Sequence, residues 1–172
     1  MTPNTGPSVR SEPHRDRPVM SEGYGLPAEI DPERALTWQW VTEQIAASRN
    51  YWVASTRPDG RPHVMPVWGL WLDDAFLFST DPRSRKGRNI AARPEIVVHL
   101  ESGDDVVILD GRAEPASDSA LLARYTDAYE VKYAFRPDPT DPNGIVYALR
   151  PATALAWREQ DFVTTAVRYR FT

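Results

Sequence analysis

Residues 51–80 read YWVASTRPDGRPHVMPVWGLWLDDAFLFST and lay out a β-meander. Tyr51 to Thr56 is a short run of aromatic and β-branched residues, the composition of a strand. Arg57-Pro58-Asp59-Gly60 breaks it with a turn signal: proline presets one bend and glycine tolerates a positive φ. His63 to Leu72 reads as the second strand, with β-branched and aromatic residues on both faces. Asp73-Asp74 turns the chain into a third, Ala75 to Thr80. Connections this short make the three strands antiparallel, because a parallel crossover needs a dozen residues or more.

Downstream, a helix is expected from about Pro82 to Ala92, stopped by Arg93-Pro94. Glu95 to Leu100 and Val106 to Ala113 form a hairpin through Ser102-Gly103-Asp104-Asp105. Ser117 is placed to cap a helix running to about Val131, with Leu121, Leu122, Tyr125 and Tyr129 on one face. Arg136 to Asn143 is a Pro/Asp loop. Ile145 to Leu149, Thr153 to Arg158 and Thr165 to Phe171 are the closing strands. Upstream, Asp31-Pro32-Glu33 has the form of a helix start, and Leu36, Trp38, Trp40, Val41 and Ile45 give its apolar face as far as Ser48 to Asn50. Residues 1–30, poor in apolar residues and rich in proline, read as a flexible tail. The expected architecture is α+β: six to eight short, mostly antiparallel strands in meander order with flanking helices. Strands this short favour a closed or nearly closed barrel, spanning residues 31–172 as one domain.

Composition narrows the function. The chain is 41% hydrophobic and 26% charged, with a net charge of −4, which argues against nucleic acid as a partner. No run approaches the roughly 20 apolar residues of a membrane helix. The polar, proline- and arginine-rich start has no apolar signal core, so a cytoplasmic protein is expected. There is no cysteine to serve as nucleophile or ligand. The three histidines, His14, His63 and His99, are too far apart for a zinc-type pair. Serine-hydrolase, P-loop and dinucleotide fingerprints are missing as well. Whatever chemistry the chain performs is expected to belong to a cofactor.

Two stretches bear on that cofactor. In Phe78-Ser79-Thr80-Asp81-Pro82-Arg83-Ser84-Arg85-Lys86-Gly87-Arg88-Asn89, a strand ends in two hydroxyls and a helix begins amid four cations. Cations at a helix start oppose the helix dipole, so helical stability alone would not select them. An anion held there by helix N–H groups, by Arg85 and Lys86, and by the hydroxyls of Ser79, Thr80 and Ser84 would account for them. A solvated basic face is the plain alternative, and Arg83 and Arg88 fit it best. In Val64-Met65-Pro66-Val67-Trp68-Gly69, a proline interrupts an apolar strand, marking an edge, a bulge or a ligand-facing backbone. Trp68 is flat enough to pack on a ring system, although a strand tryptophan is more often core.

On these residues the chain resembles the pyridoxamine 5'-phosphate oxidase-like split-barrel superfamily, which includes flavin/deazaflavin oxidoreductases. The resemblance runs from about Trp52 to the C-terminus. It rests on Ala54-Ser55-Thr56-Arg57-Pro58-Asp59-Gly60-Arg61-Pro62, on Pro66-Val67-Trp68-Gly69, on Phe78-Ser79-Thr80 leading to Ser84-Arg85-Lys86, and on the ending Val167-Arg168-Tyr169-Arg170-Phe171. It implies a split-barrel homodimer with cofactors at the subunit interface. It further implies that Ser79, Thr80, Arg85 and Lys86 touch the cofactor phosphate, that Val64, Met65, Pro66, Val67 and Trp68 run along the ring, and that Asn89 is a polar position on the same helix. Pyridoxamine phosphate oxidases carry an Arg and a Lys on the second strand, where this chain has about Val64 and Gly69, so pyridoxal phosphate synthesis is not expected. The cofactor implied is coenzyme F420 or FMN, with hydride transfer to a small conjugated or quinone-like acceptor. Tyr125, Tyr129 and Tyr133 are candidates for the acceptor side or for the core. A non-catalytic flavin, deazaflavin or haem carrier or sensor is the alternative.

Overall fold

A computed structural model of the chain describes residues 13–171. Among them run nine strands: β1 (His14–Asp16), β2 (Tyr51–Thr56), β3 (Pro62–Val67), β4 (Leu70–Leu72), β5 (Ala75–Thr80), β6 (Glu95–Leu100), β7 (Asp105–Pro115), β8 (Ile145–Arg158) and β9 (Val167–Arg170). The α-helices are α1 (Trp38–Ala47), α2 (Arg85–Ala92), α3 (Ser119–Tyr133) and the short α4 (Phe162–Thr165). None of these helices is long and apolar enough to cross a membrane.

All pairings are antiparallel, in the order β1-β9-β8-β7-β6-β2-β3, with β4 on β5 and β5 on β8. The long strand β8 pairs with β7 along one edge and divides the other. Ile145 to Leu149 take β5, and Thr153 to Ala156 take β9. The sheet therefore curls round from β8 through β7, β6 and β2 to β3, and back through β4 and β5. It does not close, because β3 and β4 share no ladder.

That opening is where the expected second strand, His63 to Leu72, divides in two. β3 pairs with β2 and β4 pairs with β5, and the chain steps between them at Trp68-Gly69. Gly69 is required at the step: a Cβ there would lie 2.3 Å from Phe76 Cζ and 2.8 Å from the Leu77 carbonyl. The reverse division occurs at β8, expected as two strands and found as one. Its register shifts opposite Asp110/Gly111, so Pro151 stands at an irregularity where a missing N–H is tolerated.

Helix starts also moved. α1 begins at Trp38, where Thr37 Oγ1 accepts the Trp40 N–H at 3.1 Å, and not at Asp31-Pro32. Asp31 supports only a single turn, accepting from Ala35 N–H at 2.8 Å, because the Leu36 N–H is drawn away to the Thr165 carbonyl. α2 begins at Arg85 under a Ser84 cap, and α3 at Ser119 under an Asp118 cap in place of Ser117. Residues 1–12 of the expected tail lie outside the described residues. Within the remainder, the stretch around β1 is tied to the barrel: Asp16 on β1 accepts two bonds from Arg168 on β9, each 2.9 Å, and buried Arg17 donates to the Ala166 carbonyl at 2.8 Å.

β5 organises the core because it is buried on both faces. Phe76 and Phe78 point into the barrel with Tyr51, Val53, Val98, Leu109 and Leu149. Ala75 and Leu77, on the opposite face by the two-residue period, pack under Leu121, Tyr125, Tyr129 and Tyr133 of α3. Each large side chain buried this way contributes about 1.5–3 kcal/mol. Where β5 leaves these two layers, Ser79 and Thr80 emerge into a half-buried position.

Candidate cofactor site

The turn after β5 is built tightly onto the first turn of α2. Ser84 Oγ accepts the Gly87 N–H at 3.0 Å and lies 3.2 Å from Thr80 Oγ1. A Cβ on Gly87 would lie 2.4 Å from the Asp81 carbonyl, so glycine is what lets the turn fold back onto the helix. The helix start that results has no acidic residue in its first turn.

Lys86 leaves this turn half-buried, with its Nζ 5.7 Å from the centre of the Phe78 ring. No carboxylate among the described residues pairs with it, and burial alone pulls its pKa down to about 8. Arg83 and Arg88 behave as surface charges. Arg83 binds Asp81 at 3.1 Å and Asn143 Oδ1 at 2.6 Å, and Arg88 donates to the Arg83 carbonyl.

Lys86 opens into a cleft of about 390 Å³ lined by Asn50, Pro66, Val67, Trp68, Ser79, Lys86 and Tyr129. β3 forms one wall as an edge strand, where proline disturbs a sheet least. Trp68 is 39% exposed, so it is not core. Its ring stacks on Tyr133 with centres 4.7 Å apart and planes within 5°. Tyr133 is itself held at the β3–β4 step by bonds to Gly69, and the Arg49 guanidinium lies 5.3 Å from the Trp68 ring centre. The preceding residue of α3, Lys132, is also half-buried. It donates to Tyr51 Oη at 2.7 Å, and burial pushes its pKa down to about 8.

Of the residues singled out in the sequence, the cleft brings together Pro66, Val67, Trp68, Ser79, Lys86 and Tyr129. Thr80, Ser84 and Arg85 surround the adjoining helix start. Val64 and Met65 stand outside the cleft lining, 45% and 46% exposed on the edge strand. Asn89 is buried and turned away, with its Nδ2 donating to Ser55 Oγ at 3.1 Å and pinning α2 to β2. Asn50 lines the cleft without any sequence signal, since an asparagine between a helix and a strand reads as an ordinary turn residue.

The surroundings are electropositive. Burial and the charges of Arg57, Arg85 and Lys86 all hold the His63 pKa below its ordinary value. Arg57 Nε is buried without a hydrogen-bond partner, as is His63 Nδ1. Asp59, the acid that feels Arg57 and Arg85, is held by Arg61 at 2.7 Å. A half-buried ammonium, a helix N-terminus and orphaned nitrogens fit a phosphate at one end, while Pro66 to Trp68 offer an apolar and aromatic wall beyond it.

The family model for pyridoxamine 5'-phosphate oxidase matches residues 38–158. The chain is 32% identical over 102 residues to the pyridoxine/pyridoxamine 5'-phosphate oxidase of Gluconobacter oxydans, covering 55% of this chain and 48% of that one. It is 30% identical over 149 residues to the enzyme of the same description from Bradyrhizobium diazoefficiens, covering 81% and 65%. The chain thus spans between about half and two thirds of these relatives' length. A conserved hypothetical protein of Mycobacterium tuberculosis superposes with a TM-score of 0.62 at 20% identity, covering 76% of this chain and 89% of that one. A heme binding protein from Mycobacterium smegmatis gives 0.56 at 21%, covering 68% and 52%, and an F420 reductase 0.50 at 23%, covering 65% and 94%. At such identities these three share a fold with the chain. The match over the barrel and the curated relatives together establish that this chain belongs to the pyridoxamine 5'-phosphate oxidase family.

Proposed function

We propose that the chain is an oxidoreductase that binds FMN or coenzyme F420 and transfers a hydride from the reduced cofactor to a small conjugated or quinone-like acceptor. The observation that carries this reading is Lys86, a half-buried ammonium without an acidic partner among the described residues, in one cleft with Pro66, Val67 and Trp68. Lys86, Arg85 and the hydroxyls of Ser79 and Thr80 would hold the phosphate, while Ser84 keeps the helix start in place as its cap. The apolar strand from Val64 to Trp68 would lie along the ring. When bound, the cofactor supplies the redox chemistry, and the protein binds, orients and shields it.

A homodimer with the cofactor at its interface suits the edge strand β3, which leaves the apolar side chains of Val64 and Met65 exposed. Pyridoxamine phosphate oxidation itself is disfavoured by Val64 and Gly69, where the resemblance would require an arginine and a lysine. For a haem carrier the cleft lining offers no His, Cys or Met, and Tyr129 would have to serve as the axial ligand.

Native mass spectrometry with added FMN and F420 tests the reading. Two cofactors per dimer, with Lys86→Ala weakening the uptake tenfold or more, is the expected result. Failure to take up either cofactor, or an affinity unchanged in Lys86→Ala, overturns it.

A further inference from the structure

We propose that His63 is a proton-linked member of the anion site, so that an anion binding beside Arg85 and Lys86 draws a proton from solvent onto the His63 imidazole. This rests on the reading of the α2 start as an anion site.

The placement of His63 follows from one hydroxyl. His63 on β3 is in register with Ser55 on β2. Ser55 Oγ donates to the His63 carbonyl at 3.4 Å and accepts from Asn89 Nδ2 of α2 at 3.1 Å. Three elements are thus tied at a single point, with His63 on the side of the α2 cations. There His63 Nδ1 is buried without a hydrogen-bond partner, and so is Nε of Arg57 at the end of β2. Two orphaned nitrogens beside two cations that pair with no carboxylate among the described residues leave negative charge as the missing complement.

The charged groups facing His63 are Arg57 from the β2–β3 turn and Arg85 and Lys86 from α2, all positive. The turn's own acid, Asp59, is occupied by the Nε and Nη2 of Arg61 at 3.0 and 2.7 Å. In the free protein, burial and these cations oppose a proton on the imidazole. An anion among the cations reverses the local sign and favours the imidazolium. Binding therefore takes up a proton between the free and bound midpoints of His63. Affinity is greatest below the free midpoint and falls as pH rises through the bound one. Lys86, with its pKa near 8, stays largely charged over that range.

Sulfate is the suitable probe, because it remains a dianion where a phosphate monoester would itself titrate near pH 6. The imidazole C–H resonances of the full chain, with His63 identified by His63→Gln, are followed against pH with and without sulfate. Sulfate is expected to raise the His63 midpoint by about half a pH unit or more. The wild type should then bind sulfate about threefold more tightly near pH 5.5 than near pH 7.5, and His63→Gln should lose that difference. If sulfate shifts the Lys86 and Gly87 amides while the His63 midpoint stays, the proton linkage is overturned and the anion site stands. If neither responds, both readings fall.

Discussion

The Tyr133 hydroxyl accepts the Gly69 N–H at 3.0 Å while lying 2.9 Å from the Gly69 carbonyl and 2.8 Å from that of Arg49. One phenol, delivered by the last turn of α3, thus satisfies the backbone where the sheet steps from β3 to β4 without a ladder. The same ring stacks on Trp68, so the bracket at the step also sets the aromatic wall of the cleft. Tyr133→Phe keeps the stack and removes the bracket, leaving a buried N–H without its acceptor. The expected cost is about 1–3 kcal/mol in urea unfolding. A weaker grip on the cofactor should accompany it, because Trp68 loses its fixed backbone. Unchanged stability would show that the bracket is dispensable.

Asn89 separates what holds α2 from what α2 holds. Its amide is spent on Ser55 inside the barrel wall, whereas Lys86, one turn earlier, faces the cleft. Asn89→Ala is expected to destabilise the fold by about 1–3 kcal/mol, since it strips a partner from a buried hydroxyl. In cofactor titrations at a temperature where the variant remains folded, it should lose far less affinity than Lys86→Ala. An equal loss in both would place Asn89 at the ligand after all.

Much of this was legible in the sequence because local patterns carried it. Tyr51–Thr56, Ala75–Thr80 and Glu95–Leu100 are strands with the bounds their composition suggests. The cations at the start of α2 stand out in the sequence because they oppose the helix dipole, and the fold places one of them, Lys86, in a cleft with Pro66, Val67 and Trp68. What could not be read locally depends on partners distant in the chain. At the division of His63 to Leu72 the Phe76 ring leaves room only for glycine at position 69, and half-exposed Trp68 rests on Tyr133, which α3 supplies. The start at Asp31-Pro32-Glu33 has good capping chemistry, yet the Leu36 N–H is claimed by Thr165, far along the chain. Tertiary contact overrides a local cap there. The ordering of His14 to Arg17 is likewise invisible without β9, which supplies Arg168 and the strand edge.

Lys86 gives the site a pH dependence of its own, distinct from that of His63. Burial lowers its pKa to about 8, so the ammonium loses its charge within an accessible range. A bound phosphate raises that pKa, because the opposite charge favours the protonated form. The Lys86 contribution to cofactor affinity is therefore full below about pH 8 and falls as pH rises from there through the higher bound-state value. Lys86→Arg replaces the titrating group with a guanidinium that stays charged, although its wider fork fits the half-buried position less well. The variant is expected to bind the cofactor more weakly than wild type near pH 7 but to show no further loss between about pH 7 and pH 9. Fluorescence titration of both proteins across that range checks this. A wild-type affinity that stays flat to pH 9 would mean the Lys86 ammonium does not carry the phosphate.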